Sequence, residues 1–276
     1  MNIAQRLANT LNGFYPKSEA QAIAYAMVEH LTGWDRTYLM THPEAEPTET
    51  QTTQLNVAIE RLQRFEPIQY IIGTTTFCGL TFHTDHRALI PRPETEELVA
   101  WCMESPAQRI LDIGTGTGCI AISLAHQLPN AEVTAFDLMT DALSLAKENA
   151  LLNNVSVDFV EQDILHPTWT PCQPFDLIVS NPPYIAESEQ SEMDHNVLDH
   201  EPHTALFVPD NDPLVFYRAI ANYAQQHLVS GGRLLVEINQ RLSNETAKLL
   251  EAHGFQDVTI RNDINDNPRM IRAVKR

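Results

Sequence analysis

From residue 109 onward, short apolar runs rich in β-branched residues alternate with stretches of helical periodicity, and this alternation limits the chain to few architectures. Strands are predicted at 109–113, 132–136, 156–160, 175–180 and 233–238, with helices near 119–127, 141–152, 213–228 and 244–253. Parallel strands need a long crossover, and a helix in most of the gaps supplies one, so the pattern predicts a doubly wound, Rossmann-like α/β sheet. The end of the chain departs from it. Residues 258–261 and 270–275 are separated only by a polar turn at 262–268, too short for a helix, so the last strand is expected to pair antiparallel.

Ahead of the sheet, residues 1–66 carry helical periodicity and no convincing strand, which predicts a small helical bundle. Asn2 with Gln5, Ser18 with Gln21, and Thr48 with Gln51 each fit the two ends of a capping box. Ala20, Ile23, Ala24, Met27, Val28 and Leu31 share one helical face that Gly33 is placed to end, and Leu55, Ile59, Leu62 and Phe65 form a second stripe. Residues 34–40 suggest a short helix and 42–50 a loop. The period changes at Pro67: residues 68–77 and 80–83 are β-rich around Gly79, predicting a hairpin across 67–85 that links the bundle to a second domain, 86–276. Within that domain Pro93 can open a helix whose first turn is acidic and which runs to about residue 103.

Composition narrows the partners. The formal net charge of −18 opposes nucleic acid, whose affinity for proteins comes largely from Lys and Arg displacing phosphate counterions, so no direct nucleic-acid binding is expected. Arg261, Arg269, Arg272, Lys275 and Arg276 form the one basic cluster, better read as a charged strand edge that discourages edge pairing. No uninterrupted apolar run approaches the roughly 18 residues of a membrane span, and the start lacks a basic segment followed by an apolar one, so a cytoplasmic monomer is expected. Cys78, Cys102, Cys119 and Cys172 are scattered, and His83 with His86 reads as hairpin or loop before it reads as a chelate, so no metal is expected.

The sequence Asp112-Ile113-Gly114-Thr115-Gly116-Thr117-Gly118 ends the first strand of the sheet and opens a helix, where glycines allow close backbone approach to a ligand. Asp137 ends the second strand, 19 residues beyond Gly118, and is placed to accept hydrogen bonds from two ribose hydroxyls. Together these predict an adenosine ligand at a topological switch point. A dinucleotide would expect G-x-G-x-x-G, whereas here the third glycine comes one residue early. Asp112 before the turn would repel a pyrophosphate but suits a cationic ligand, so S-adenosylmethionine fits better. Residues 161–163 lie at the level expected for adenine; Asp163 serves either the exocyclic amine or as a turn cap, and Ile164 packs on the ring.

After the fourth strand comes Asn181-Pro182-Pro183-Tyr184. Consecutive prolines cannot donate hydrogen bonds and hold the chain extended, so Asn181 Oδ1 and the Pro182 carbonyl can both face one NH2 group, with Tyr184 against its flat face. An amide or amino nitrogen conjugated to a π system suits that geometry.

With glycine turn, acidic second strand and Asn-Pro-Pro-Tyr in this order, the chain resembles the HemK/PrmC family, bacterial methyltransferases that act on a glutamine side chain of peptide chain release factors. The likeness extends to Ile90-Pro91-Arg92-Pro93-Glu94-Thr95-Glu96 and Glu201-Pro202-His203-Thr204-Ala205-Leu206, and so spans nearly the whole chain. It implies a class I methyltransferase sheet, S-adenosylmethionine as methyl donor and class 1 release factors as partners, presenting a Gly-Gly-Gln loop. Asn181, Pro182, Pro183 and Tyr184 would then hold the glutamine amide, and Gly114, Thr115, Gly116, Thr117 and Gly118 the methionine part of the cofactor. The helical domain would be a recognition surface or only a scaffold; Arg92 would order the loop beside the site or pair with an acid. One departure is Asn239, where the family usually has glycine; asparagine tolerates positive φ best after glycine, so this alters the strain of the turn more than the assignment. DNA adenine amino-methyltransferases use a similar Asn-Pro-Pro-Tyr turn, ribosomal-protein glutamine methyltransferases are sister enzymes that differ across 92–97, and a cofactor-binding protein without activity is a further alternative.

Overall fold

The computed structural model describes residues 1–276 and divides into two compact units, Met1–Thr74 with Asp194–His200, and Thr75–Met193 with Glu201–Arg276. In chain order the elements begin α1 (Ile3–Leu11), α2 (Lys17–Thr32), α3 (Arg36–Thr41), α4 (Glu49–Leu62), α5 (Ile68–Ile72), β1 (Thr74–Phe77), β2 (Leu80–His83) and α6 (Pro93–Cys102). Then follow β3 (Arg109–Ile113), α7 (Cys119–Gln127), β4 (Glu132–Asp137), α8 (Thr140–Leu152), β5 (Asp158–Glu161), β6 (Phe175–Ser180), β7 (Ile185–Ala186) and α9 (His195–Leu198). The last are β8 (Phe207–Val208), α10 (Val215–His227), β9 (Leu228–Glu237), α11 (Ser243–Ala252), β10 (Phe255–Asn262) and β11 (Pro268–Lys275).

The first unit is helical. α1 and α4 open with the capping boxes their sequences predict, Asn2 with Gln5 and Thr48 with Gln51. Ser18 and Gln21 form none, because α2 starts at Lys17 directly after Pro16 and already includes Ser18. Gly33 ends α2 with a φ of 74°, the left-handed cap that glycine adopts at least cost. Leu7, Met27, Val28, Leu39 and Leu55 meet in its core. The expected strand from residue 68 is a helix over its first part: α5 ends at Gly73 (φ 81°), and Ile68 and Ile71 pack on the apolar faces of the bundle. Three β-branched isoleucines are helical there because side-chain burial outweighs a modest intrinsic preference. Only residues 74–77 and 80–83 are extended.

The second unit is built on a seven-stranded sheet of order β10-β11-β9-β6-β3-β4-β5, parallel except that β11 runs antiparallel to β9 and β10. Strand residues alternate between two apolar layers. Ile110, Leu177 and Val179 meet Leu98 and Trp101 of α6 and Ile120 and Leu124 of α7 on one face, while Leu111, Ile113 and Ile178 meet Tyr217 and Ile220 of α10 and Leu250 of α11 on the other. Burial on both faces explains why these strands read as continuous apolar runs. The hairpin β1–β2 inserts Phe77 and Phe82 into the first layer. Buried Asn149 of α8 accepts from His83 N (2.6 Å) and donates to the carbonyls of His83 (3.2 Å) and Thr117 (3.0 Å), tying the hairpin to the glycine turn. Strand order reverses between β3 and β6, so their carboxyl ends flank a topological switch point, where ligands of open α/β sheets bind.

Candidate active site

A cavity of about 310 Å³ opens at that switch point, lined by the ends of β3, β4 and β6 and by residues 86–92, 162–165, 202, 204 and 205. Its size falls within the range of small-molecule clefts. The glycine turn closes by its own backbone: Gly114 N and Thr115 N both donate to Phe136 O (2.9 and 2.8 Å). Gly114 has a φ of 74°, and a Cβ built there would meet nothing within 4 Å, so that backbone is open to a ligand. Gly114, Thr115, Gly116 and Thr117 line the cavity, but Gly118 does not. A Cβ at Gly118 would come within 2.7 Å of Ile122 Cδ1 and 3.1 Å of Ala146 Cβ, so this glycine serves the close packing of α7 on α8.

The two acids separate. Asp112 is fully buried beneath the turn and does not line the cavity; its Oδ2 accepts from Thr115 Oγ1 at 2.6 Å. Burial pushes its carboxyl up to about 7, against the pull of the Thr115 hydroxyl and the Ala121 N–H. The expectation that Asp112 meets a cationic ligand is therefore corrected: it braces the turn. Asp137 does line the cavity. Its two oxygens accept from Gly116 N (2.8 Å) and Met139 N (2.9 Å), which leaves lone pairs to spare, while burial raises its carboxyl against these N–H groups and that of Leu138. Asp163 and Ile164 also line the cavity. The Asp163 carboxylate caps its own turn, accepting from Leu165 N (2.8 Å) with His166 Nδ1 at 3.0 Å. Burial pushes this acid up, but His166 and the Leu165 N–H hold it below its ordinary value. Gln162, in the 161–163 stretch expected near the adenine, lines the cavity, is buried and orders the same loop: Nε2 donates to Asp163 O (2.7 Å) and Oε1 accepts from Trp169 N (2.8 Å).

Asn181, Pro182 and Pro183 line the cavity at the end of β6, where Ser180 Oγ donates to Ile113 O (2.7 Å) and locks β6 to β3. Asn181 Nδ2 donates to Thr95 Oγ1 (3.2 Å), and Thr95 donates to Glu237 Oε2 (2.7 Å). Tyr184 is not at this cavity. Its hydroxyl donates to Glu237 Oε1 (3.0 Å) and its ring packs against the second apolar layer, beside a smaller pocket with Asn239 and Arg269. Burial pushes the Tyr184 hydroxyl far up, reinforced by the Glu237 carboxylate, so it stays a donor. Thr95, although within the 90–96 stretch that carries the resemblance, and Glu237 receive no role from the sequence, because the two buried side chains meet only through α6 and β9.

Arg92 pairs with Glu201 (2.6 Å), whose other oxygen accepts from Ile90 N (3.0 Å). The buried Glu201 thus ties residues 90–92 to the start of 201–205, both of which border the cavity. Asn239 sits at φ −67°, not in a left-handed turn. Its Nδ2 instead donates to Tyr184 O (3.1 Å) and Glu189 Oε1 (3.1 Å), bracing the segment after the Asn-Pro-Pro-Tyr turn, bonds that glycine cannot make.

The Methyltransferase small domain family matches residues 94–204, and the PrmC N-terminal domain family matches residues 4–73. The chain is 44% identical over 279 residues to the release factor glutamine methyltransferase of Flavobacterium psychrophilum, covering 99% of this chain and 98% of that one. It is 41% identical over 273 residues to the release factor glutamine methyltransferase of Bacteroides thetaiotaomicron, with 98% of each chain covered. Among solved structures, the 16S rRNA N2 G1207 methyltransferase of T. thermophilus, in complex with AdoMet and guanosine, matches with a TM-score of 0.53 and 21% identity over 74% of this chain and 50% of that one, a likeness of fold. The chain belongs to the release factor glutamine methyltransferase family.

Proposed function

We propose that this protein transfers a methyl group from S-adenosylmethionine to the side-chain amide nitrogen of the glutamine in the Gly-Gly-Gln loop of class 1 peptide chain release factors. The observation that carries the reading is Asn181 at the end of β6, in the cavity, with its Nδ2 taken up by Thr95 and its Oδ1 left without a protein partner. The residues present fit the cofactor: an open glycine backbone at Gly114, a half-buried Asp137 with lone pairs to spare for ribose hydroxyls, and apolar Leu138 and Ile164 beside them. When bound, S-adenosylmethionine supplies an electrophilic methyl group.

Chemistry at a carboxamide nitrogen is hard because its lone pair is delocalised by the resonance that gives a peptide bond its rotation barrier of roughly 18–20 kcal/mol. Asn181 Oδ1 and the Pro182 carbonyl accept the two amide protons and so orient the nitrogen. Fixed acceptors also stabilise the positive charge that develops on it, without reorganisation at the moment of reaction. No ionised base is needed beforehand: as the nitrogen–methyl bond forms and the sulfur–methyl bond breaks, the nitrogen becomes strongly acidic and gives up one of its two protons to water. The helical unit, which matches the PrmC N-terminal domain family, is read as the surface that recognises the release factor. The net charge of −18 and the glutamine methyltransferase relatives favour a protein substrate over DNA adenine.

Peptide mass mapping of a purified release factor after incubation with this protein and the cofactor tests the reading. One added methyl on the loop glutamine is expected, formed about a hundredfold or more slowly by Asn181→Ala, the loss typical of removing a preorganised polar group. Label found in DNA and not in the release factor would defeat it.

A further inference from the structure

A side-chain amide beside a reacting NH2 group is useful in only one of its two orientations. With Oδ1 toward the substrate, Asn181 accepts; rotated by half a turn it offers two more donors to a group that itself needs acceptors. The two orientations have nearly the same shape, so packing cannot choose between them. A hydrogen bond must.

That bond ends in a chain of fixed polarity. A carboxylate only accepts, and Glu237 accepts from Thr95 Oγ1 at 2.7 Å and from Tyr184 Oη at 3.0 Å, one on each oxygen. The single proton of Thr95 is thereby committed to Glu237, which leaves the Thr95 oxygen as an acceptor toward Asn181. Only the Nδ2 side of the Asn181 amide can meet it, at 3.2 Å. Thr95 is 2% exposed and Glu237 1%, so water cannot substitute for either partner. Burial raises the Glu237 carboxyl, while the Thr95 and Tyr184 hydroxyls and the positive charge of Arg269 favour its ionised form.

We infer that Thr95 and Glu237 are positioning residues for Asn181: the buried carboxylate takes the Thr95 proton, and the Thr95 oxygen in turn fixes the Asn181 amide with Oδ1 presented to the substrate nitrogen. The inference rests on the reading of Asn181 as an acceptor for that nitrogen. It gives the buried Thr95 of α6 and Glu237 of β9 a part in setting the polarity of the site. It also assigns Tyr184 to the support of Glu237 in place of contact with the amide plane.

Thr95→Val and Thr95→Ser test it, compared with wild type and Asn181→Ala. Valine keeps the shape of threonine and removes the hydroxyl; serine keeps the hydroxyl. Thr95→Val is expected to lower kcat for release factor methylation by about tenfold or more, the factor that loss of one buried hydrogen bond corresponds to, and Thr95→Ser is expected to recover most of it. Affinity for S-adenosylhomocysteine, measured by calorimetry, should stay the same in both variants, since the Thr95 side chain bonds to Glu237 and Asn181 and not to Gly114 or Asp137. In wild type, the Asn181 side-chain NH2 should exchange slowly with solvent by NMR and show contacts to the Thr95 methyl, and in Thr95→Val the protection should vanish. Thr95→Val at wild-type kcat, beside an inactive Asn181→Ala, would overturn the inference and leave the proposed function standing. A wild-type protein that methylates no glutamine would remove that function, and the exchange measurement would still decide whether Thr95 holds the amide. If Thr95→Val does not fold, a freely exchanging Asn181 NH2 in wild type overturns the inference by itself.

Discussion

Asp112 is an acid held where no ligand reaches it, and its effect is on stability. Burial pushes its folded carboxyl up to about 7 from an ordinary value of 3.8, so the folded state holds this proton more tightly than the unfolded chain. Its contribution is therefore fully present below about pH 4 and is lost as pH rises through about 7. Asparagine at this position stays neutral and can still accept from the Thr115 hydroxyl, so Asp112→Asn removes the dependence. The variant is expected to gain stability relative to wild type by up to about 4 kcal/mol between pH 4 and 7 and no further above that. Urea unfolding of both proteins at pH 5 and pH 8 checks this. An equal difference at the two pH values would mean that Asp112 ionises normally in the fold. Sequence made Asp112 legible as an acid next to a ligand turn, but which way its side chain points depends on the register of β3 against β4 and β6, where Asp112 pairs with Ala135 and Val179 in the middle of the sheet.

At the scale of elements, the strand–turn–helix from β3 to α7 separates two kinds of glycine. Gly114 and Gly118 both have positive φ, 74° and 82°, but only Gly118 faces other side chains, those of Ile122 and Ala146. Gly114→Ala is expected to cost about 1–2 kcal/mol of stability from the left-handed backbone alone and to weaken S-adenosylhomocysteine binding. Gly118→Ala adds overpacking of about 1–3 kcal/mol between α7 and α8, so it should melt earlier than Gly114→Ala. Thermal unfolding and calorimetry on the two variants separate these losses; equal melting temperatures would remove the packing role of Gly118. The turn itself was legible in the sequence because it combines a strand end, glycines and a helix start at fixed spacing, and β3, β4, β5, β6 and β9 with α7, α8 and α10 follow from their apolar periods, while the short β7, α9 and β8 do not. What was not legible is how distant elements meet. Thr95 and Glu237 are 142 residues apart and share one hydrogen bond. Tyr184, three residues beyond Asn181, turns its hydroxyl to that same Glu237 and not to the cavity. Ile68–Ile72 is helical only because the bundle offers its isoleucines a place to pack.

For the whole molecule, the chain path carries information that no local pattern holds. The sequence predicts one continuous domain from residue 86, yet Asp194–His200 belongs to the unit formed by Met1–Thr74. The contacts that place it there are long-range in sequence: the His195 ring lies 5.5 Å from the Phe65 ring, and His200 Nε2 is 2.8 Å from the Arg64 carbonyl. The chain thus leaves the sheet-bearing unit after Met193 and re-enters it at Glu201, the residue that holds Ile90 and Arg92 beside the cavity. A chain beginning at residue 75 retains every residue that lines the cavity but deprives α9 of Arg64 and Phe65. A four-residue helix is far below the roughly 12–15 residues at which helices become marginally stable alone, so α9 is expected to unfold in the truncated chain. Limited proteolysis should then cut within 194–200 in the truncated chain and spare that segment in the full one, while both bind S-adenosylhomocysteine with similar affinity. Equal resistance in the two chains would mean that the segment is held by the sheet-bearing unit after all, and loss of ligand binding on truncation would mean that Glu201 keeps its grip on residues 90–92 only while α9 is anchored.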